Sequence, residues 1–308
     1  MRIVVHGQQA FGKAVLEKLL ERGENVVGVF CAPDKEGRPR DPLAEFAEEK
    51  GLPLHQPTSW KTPEALELMQ SFEPDVCIMA FVTLFVPQPV IDAPRLGTFQ
   101  YHPSLLPLHR GPSSINWPII QGATRTGLSI FWPDEGLDEG PILMQKEVEI
   151  GPDDTLGSIY FRKLFPMGVD ALIESLDLVR DSKASRVDQD HTRATYESWA
   201  GKKAGAVDWS LPAAAVHNRI RGCDPSPGAW TMSGDTEIAL FDSTRGGASE
   251  GDPGTVVAID DAGMTVVCGD KGTVILGRIR PKGGAKETAV QAAGKVGLEK
   301  GARLGSAQ

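Results

Sequence analysis

Two loops of the sequence carry side chains able to perform acid–base chemistry. The first covers residues 100–111, where His102 follows a predicted strand that ends near Phe99. Open α/β sheets bind ligands outside the carboxyl ends of their strands, so His102 is placed to meet one. A histidine there can donate a hydrogen bond or titrate near neutral pH. A structural role for such a residue stays open, since its type and place alone do not decide between the two.

The second loop is acidic and joins a predicted strand at residues 128–132 to another that begins at Ile142. It contains the carboxylates of Asp134, Glu135, Asp138 and Glu139. A carboxylate beside an imidazole can fix its tautomer and support its charged form. The alternative is a solvated surface turn with no chemical role.

The loop after the first strand has the P-loop spacing G-x-x-x-x-G-K at residues 7–13. A P-loop needs Ser or Thr next, because that hydroxyl binds the magnesium of the nucleotide. The next residue here is Ala14, and the sequence has no G-x-G-x-x-G motif either. We therefore interpret this loop as a tight strand-to-helix turn.

Strands and helices alternate in the first half of the chain and position these loops. Apolar runs at residues 3–5, 26–30 and 74–80 predict strands, and residues 43–50 predict a helix. A helix with Val15 and Leu19 on its apolar face ends before Gly23. This alternation predicts a parallel sheet covered by helices.

The second half has a different pattern. A long helix is predicted at residues 161–179, followed by a polar stretch with little apolar periodicity. Short β-rich segments separated by Gly-rich turns then predict a small antiparallel barrel or sandwich. We predict a catalytic domain at 1–180, a linker at 181–204 and a C-terminal domain at 205–308.

The composition excludes several classes of protein. A net charge of -9 argues against broad attraction to phosphate backbones. The four cysteines are scattered, which fits reduced thiols better than disulfides or a zinc site. The chain begins on a strand with no signal-peptide pattern, and no apolar run is long enough to span a membrane. We expect a cytoplasmic protein with no membrane partner.

Together, the two loops resemble the 10-formyltetrahydrofolate-dependent formyltransferase family. That family has a His followed by Ser-Leu-Leu-Pro, and a Gly-Leu-Asp-x-Gly loop some three dozen residues later. Here the histidine is His102, the Ser-Leu-Leu-Pro is residues 104–107 and the aspartate is Asp138. Further similar stretches are residues 115–117, 129–132, 164–166, 217–222 and 227–231.

The resemblance implies a Rossmann-like domain followed by a small OB-like β-barrel. It implies 10-formyltetrahydrofolate as formyl donor, no metal, and His102 and Asp138 as the catalytic pair. The folate would lie against residues 81–87, with contacts from Leu84, Phe85 and Val86 and from Asp138.

The chain looks most similar to the hydrolase domain of 10-formyltetrahydrofolate dehydrogenase, and is related to methionyl-tRNA formyltransferase. It stops at Gln308, before the dehydrogenase's carrier and aldehyde dehydrogenase domains, so we expect no oxidation of the formyl group by NADP. Two residues before the histidine, transferases have Asn and the hydrolase domain has an apolar residue, whereas this chain has Gln100. The Gln100 amide can donate to the formyl oxygen as negative charge grows there, so we count Gln100 as a third catalytic residue.

The acceptor remains open among three candidates. We expect formyl transfer to the amine of a small metabolite. Water, which gives a hydrolase, and methionyl-tRNA are the alternatives, and an inactive folate-binding scaffold is a fourth reading. The net charge argues against tRNA, although residues 278–308 hold seven Lys or Arg against two Glu. That stretch fits either a phosphate contact or a solvated basic surface. The sequence does not indicate an oligomeric state.

Overall fold

A computed structural model gives the structure of residues 1–305. Residues 306–308, which end both the predicted C-terminal domain and its basic stretch, lie outside the described residues. The chain forms two compact units. The first contains residues 1–111, 127–147 and 163–196, and the second contains residues 112–126, 148–162 and those from 197 onward.

A seven-stranded sheet underlies the first unit. Its strands, in chain order, are β1 (Arg2–Gly7), β2 (Asn25–Cys31), β3 (Leu54–His55), β4 (Val76–Ala80), β5 (Thr98–His102), β6 (Arg125–Phe131) and β7 (Ile142–Glu149). The order across the sheet is β3-β2-β1-β4-β5-β6-β7. The pairs from β3 to β5 are parallel, and β6 runs antiparallel to β5. The chain reverses direction across the sheet at β1 and β4, the place where such sheets bind ligands.

The helices begin or end at residues that favour helix termini. They are α1 (Gln9–Glu21), α2 (Pro42–Glu49), α3 (Pro63–Ser71), α4 (Gln88–Ile91), α5 (Asn116–Ile120), α6 (Leu156–Ile159), α7 (Phe165–Arg180), α8 (Lys202–Gly205), α9 (Ala213–Gly222) and α10 (Ala289–Lys295). Helix α1 buries Val15 and Leu19, and Gly23 follows it at φ 70°. Asp41 begins α2 by accepting a hydrogen bond from the Leu43 amide. A π-helical turn precedes α7 directly.

The second unit contains a smaller antiparallel sheet. Its strands are β8 (Ala229–Ser233), β9 (Thr236–Ala248), β10 (Val256–Asp260), β11 (Gly263–Val267), β12 (Gly272–Pro281) and β13 (Glu287–Thr288). The order is β10-β11-β12-β9-β8, with β13 paired to β12. Ile220 of α9 and Ala292 of α10 pack with Leu240, Val266 and Leu276 of the sheet in one apolar core.

Two segments from earlier in the chain belong to this second unit because they bind α9. The side-chain amide of Asn116 donates to the Gly222 carbonyl over 2.8 Å. The guanidinium of Arg221 donates to the carbonyls of Gly151 and Asp154 over 3.0 and 2.8 Å. These contacts attach both segments to one helix by buried polar bonds.

The structure confirms an α/β domain with a largely parallel sheet followed by a smaller antiparallel β domain. The strands predicted at residues 3–5, 26–30 and 74–80 are present as β1, β2 and β4. The limits 1–180, 181–204 and 205–308 stay a prediction. Residues 181–204 contain little regular structure, yet residues 185–196 make specific hydrogen bonds with loops of the first unit.

Candidate active site

The site lies where several strands of the first unit end. Strands β1, β4 and β5 are parallel neighbours, so their carboxyl ends share one edge of the sheet. Gln8 follows β1, Phe81 follows β4, and His102 is the last residue of β5. The sequence therefore places His102 beside the reversal between β1 and β4, where a ligand crevice is expected.

His102 is buried, with 6% of its surface exposed. Its Nε2 lies 2.9 Å from the carbonyl oxygen of His109. Its Nδ1 lies 3.6 Å from Oδ2 of Asp138. The structure therefore brings the two predicted catalytic residues together, although they are 36 positions apart in the sequence.

The loop after β5 is held by its own hydrogen bonds. Oγ of Ser104 donates to the Leu108 carbonyl over 2.7 Å. The Leu106 amide donates to Oγ of Ser129 on β6 over 3.0 Å. These bonds fix the backbone that presents the His109 carbonyl to His102, so the imidazole has one defined orientation.

Asp138 is positioned by a tight turn between β6 and β7. Its φ is 56°, in the left-handed region, and its side chain is buried. Oδ2 accepts a hydrogen bond from the Gly111 amide over 2.8 Å. Gly140 approaches the Trp132 carbonyl so closely that a Cβ would lie 1.8 Å from that oxygen, so only glycine fits. By contrast, Asp134 and Glu135 are exposed.

These distances define the proton positions on His102. A carbonyl oxygen accepts hydrogen bonds and never donates them, so Nε2 carries the proton that faces His109. In the neutral ring, Nδ1 then presents a lone pair toward Asp138. Once protonated, Nδ1 presents an N–H toward that carboxylate instead. The pair can therefore accept a proton and hold the resulting charge.

Gln100 lies on the same face of β5 as His102, because residues two apart on a strand point to the same side. It pairs with Met79 of β4 and Phe131 of β6. Its side chain is half-buried. Its place on the strand fits the predicted role beside His102.

The predicted folate-contacting residues lie on the loop that follows β4. Val86 is buried in the apolar core, Leu84 packs at its margin, and Phe85 is 62% exposed. Nζ of Lys61 lies 5.3 Å from the centre of the Phe85 ring. This loop offers an apolar surface at the same edge of the sheet as His102.

Sequence reasoning missed a polar network that surrounds Asp138. Gln189 donates to the carbonyls of Asp138 and Gly140 over 3.0 and 2.7 Å. Arg110 is buried and donates to Oε1 of Gln189 over 2.8 Å and to the Tyr196 hydroxyl. The one available signal was that Arg110 lies within the histidine loop, because residues 181–204 had no apolar pattern to distinguish them.

The cysteine thiols and possible metal ligands of the described chain are alternatives to the His102–Asp138 pair. Burial raises the pKa of each of the four thiols to about 12. All four are free and buried. Within residues 1–305, no three His, Cys, Asp or Glu side chains are grouped so as to hold a metal ion.

The α/β fold and the buried imidazole–carboxylate pair at its strand ends define a class of acid–base site. The sequence profile of the formyl transferase family matches residues 1–176, and that of the formyl transferase C-terminal domain matches residues 201–295. This chain belongs to the formyl transferase family, which confirms the resemblance found in its sequence.

Individual relatives agree with the family. Cytosolic 10-formyltetrahydrofolate dehydrogenase of Xenopus tropicalis is 43% identical over 261 residues, which are 82% of this chain and 29% of that protein. Methionyl-tRNA formyltransferase of Trichlorobacter lovleyi is 35% identical over 290 residues, 92% of this chain and 91% of that protein. This chain thus spans less than a third of the dehydrogenase's length.

Among solved structures, HypX from Aquifex aeolicus in complex with tetrahydrofolic acid has a similar fold. The TM-score is 0.69 at 20% sequence identity, covering 96% of this chain and 47% of HypX. At that identity the likeness concerns the fold. Across residues 1–305, every helix is too short or too polar to cross a bilayer.

Proposed function

We propose that this chain transfers the formyl group of 10-formyltetrahydrofolate to an amine and releases tetrahydrofolate. The observation that carries the proposal is the His102–Asp138 pair, buried at the strand ends with Nδ1 and Oδ2 3.6 Å apart. Membership of the formyl transferase family and a relative that is named for 10-formyltetrahydrofolate support the choice of donor.

The acceptor nitrogen attacks the formyl carbon, and negative charge develops on the formyl oxygen. His102 in its protonated form donates from Nδ1 to that oxygen, because Nε2 is already bonded to His109. Gln100 supplies a second donor from the same face of β5. The tetrahedral intermediate then collapses and expels N10 of the folate.

Asp138 moves the proton. The attacking amine loses a proton as its bond to carbon forms, and N10 gains one as its bond to carbon breaks. Asp138 accepts the first proton and supplies the second, directly or through water, so the protons balance. Its bond to the Gly111 amide keeps one carboxylate oxygen oriented during both steps.

The proposed folate contacts are those that the family resemblance implies. The pterin lies against residues 81–87, with Leu84 and Phe85 offering apolar contacts and Val86 anchoring the loop in the core. Asp138 closes the site from the side of the acidic loop. The proposed chemistry uses only the side chains of His102, Gln100 and Asp138 and needs no metal.

Water is the second candidate acceptor, because the sequence resembles the hydrolase domain of 10-formyltetrahydrofolate dehydrogenase, and two such dehydrogenases are 43% and 40% identical to this chain over 29% and 31% of their length. tRNA ranks lower. Within the basic stretch from residue 278, Arg278, Lys286, Lys295 and Arg303 each form an ion pair with a neighbouring carboxylate. Those charges are partly neutralised within the protein, which weakens a phosphate-binding role. An inactive scaffold and a cytoplasmic location both stay predictions.

The test is to incubate the protein with 10-formyltetrahydrofolate, with and without a panel of small amines. Release of tetrahydrofolate and the mass of any formylated product are measured together. We expect amine-dependent release with formylated product. Release that ignores the amine would identify a hydrolase, and no release with any acceptor, including methionyl-tRNA, would support the scaffold.

A further inference from the structure

Residues 185–196 form a strap that is attached to both catalytic loops of the first unit. The Trp132 indole donates to the Ser185 carbonyl over 2.9 Å. Val187 and Ile142 exchange two backbone hydrogen bonds of 2.8 and 2.9 Å. The Arg110 amide donates to the Thr195 carbonyl over 3.0 Å. The strap therefore runs from the Asp138 loop to the loop that follows His102.

Gln189 is the central residue of the strap and is 6% exposed. Its Nε2 donates both hydrogens, to the carbonyls of Asp138 and Gly140. Its Oε1 accepts from Nη2 and Nε of Arg110 over 2.8 and 3.2 Å. A carboxamide satisfies all four contacts because it has two donor hydrogens and two acceptor lone pairs.

The Asp138 backbone needs such support. A non-glycine residue at φ 56° is in an uncommon conformation that persists only where its surroundings hold it. Gln189 holds the carbonyls of Asp138 and Gly140. With both fixed, the carboxylate faces His102 and the Gly111 amide.

Arg110 connects this support to the rim of the site. It is 1% exposed, and a buried guanidinium is costly unless its donors are used. Nη1 donates to the Tyr196 hydroxyl over 2.5 Å, and that hydroxyl in turn donates to Oε1 of Glu139. The strap thus holds the backbone of Asp138 through Gln189, and it holds the side chain of Glu139 through Tyr196.

We propose that Gln189 is a positioning residue for formyl transfer, which it supports through the backbone of the Asp138 loop without touching substrate. This inference rests on the proposed function. Gln189→Glu keeps the acceptor for Arg110 and removes both donors to the loop. Gln189→Met removes the donors and the acceptor together. Ser185→Ala, which removes only a bond to the Leu143 carbonyl, is the control within the same strap.

We expect both Gln189 variants to lower kcat by roughly 10²-fold, because small displacements of a catalytic group have effects of that size. The KM for 10-formyltetrahydrofolate stays near the wild-type value, and only Gln189→Met lowers the melting temperature. Ser185→Ala keeps the wild-type kcat. A wild-type kcat in Gln189→Glu would overturn the proposal.

A double-mutant cycle separates positioning from a merely structural role. If Gln189 acts through Asp138, the double variant Asp138→Asn, Gln189→Glu is no slower than Asp138→Asn alone. Losses that multiply would show that Gln189 acts by another route and would contradict the proposal.

A measurement that needs no turnover keeps this inference distinct from the proposed function. The imidazole ¹⁵N signals of His102 are compared in the full-length wild type and variants. Gln189→Glu, Gln189→Met and Asp138→Asn should all displace them, and Ser185→Ala should not. If the wild type releases no tetrahydrofolate, the proposed function fails. The positioning role is refuted by a different result, namely His102 signals that are unchanged in both Gln189 variants.

Discussion

The two units each contain a buried histidine beside an aspartate, and the two sites differ in the group that faces the second ring nitrogen. Nε2 of His102 faces the His109 carbonyl, and Nε2 of His217 faces the Pro152 carbonyl, both at 2.9 Å. The other nitrogen of His217 is bonded to Oγ of Ser243 over 2.8 Å. The other nitrogen of His102 faces the buried carboxylate of Asp138.

That difference distinguishes a structural histidine, His217, from the proposed catalytic histidine, His102. His217 has a neutral partner at each nitrogen, and its neighbouring carboxylate, Asp153, is 62% exposed. Burial lowers the pKa of His217, which disfavours its charged form, and its bond to Ser243 ties α9 to β9. Nδ1 of His102 instead faces the Asp138 carboxylate, so this imidazole can take up a proton and hold the resulting charge. Burial and a nearby aspartate are thus insufficient to identify a catalytic histidine.

The largest expected effect comes from removing the carboxylate that distinguishes His102. Asp138→Asn should lower kcat by about 10²–10³-fold, since it removes the proton acceptor while leaving a similar volume. Binding of a folate analogue, measured by calorimetry, should change little. Near-normal turnover in Asp138→Asn would make the His102 site no different in kind from that of His217.

Gln100 sharpens the comparison, because it offers a second donor on the same face of β5 as His102. Gln100→Ile should slow formylation of an amine by an amount equivalent to about 1–3 kcal/mol, the cost of an unsatisfied partner in a dry site. Any slow hydrolysis should persist, because water needs less alignment than a larger amine. Formylated product and tetrahydrofolate are quantified in parallel. Equal rates of both reactions in the two proteins would show that Gln100 only packs at the strand end.

His217 should affect stability and not turnover. His217→Asn breaks the bonds to Ser243 and Pro152, so the free energy of unfolding should fall by about 1–3 kcal/mol in urea titration. Ser243→Ala should cost less, because His217 keeps its contact with Pro152. A large loss of kcat in a folded His217→Asn protein would remove the contrast between the two histidines.

The remaining effect is the dependence of stability on pH. Burial lowers the pKa of His6 from 6.5 to about 3, and that of His217 below its ordinary value. The unfolded chain binds protons at these positions below about pH 6.5, whereas in the folded chain burial moves protonation of His6 down to about pH 3 and disfavours protonation of His217. Stability should therefore fall from pH 7 to pH 5, by at most about 1.4 kcal/mol per pH unit for each histidine.

His6→Phe tests the sign and the source of that slope. His6 packs against Trp60 with ring centres 4.7 Å apart, so a phenyl ring fits the same aromatic contact. The variant should show a shallower decline of unfolding free energy between pH 7 and pH 5. The same slope in both proteins would mean that His6 is not its source.

Sequence reasoning succeeded where the signal was apolar or depended on motif order. Strands such as β1 are continuous apolar runs, and the order of the two loops paired His102 with Asp138. It failed where polar groups are buried. Helix α9 was not predicted, because buried His217 and Arg221 interrupt its apolar face.

Gln189 was missed for the same physical reason. Its segment is stabilised by hydrogen bonds to backbone carbonyls, and such bonds leave no periodic pattern in the sequence. Distances such as the 3.6 Å between Nδ1 of His102 and Oδ2 of Asp138 also required the structure. The limits of the predicted domains and linker remain predictions.

The most direct measurement compares the two histidines in one assay. Tetrahydrofolate release from 10-formyltetrahydrofolate is followed for the wild type, His102→Ala and His217→Asn, with an amine acceptor present. We predict a loss of about 10²–10³-fold in kcat for His102→Ala, from the missing oxyanion donor, and near-normal kcat for His217→Asn. Full activity in His102→Ala would contradict the proposal that this pair carries formyl transfer.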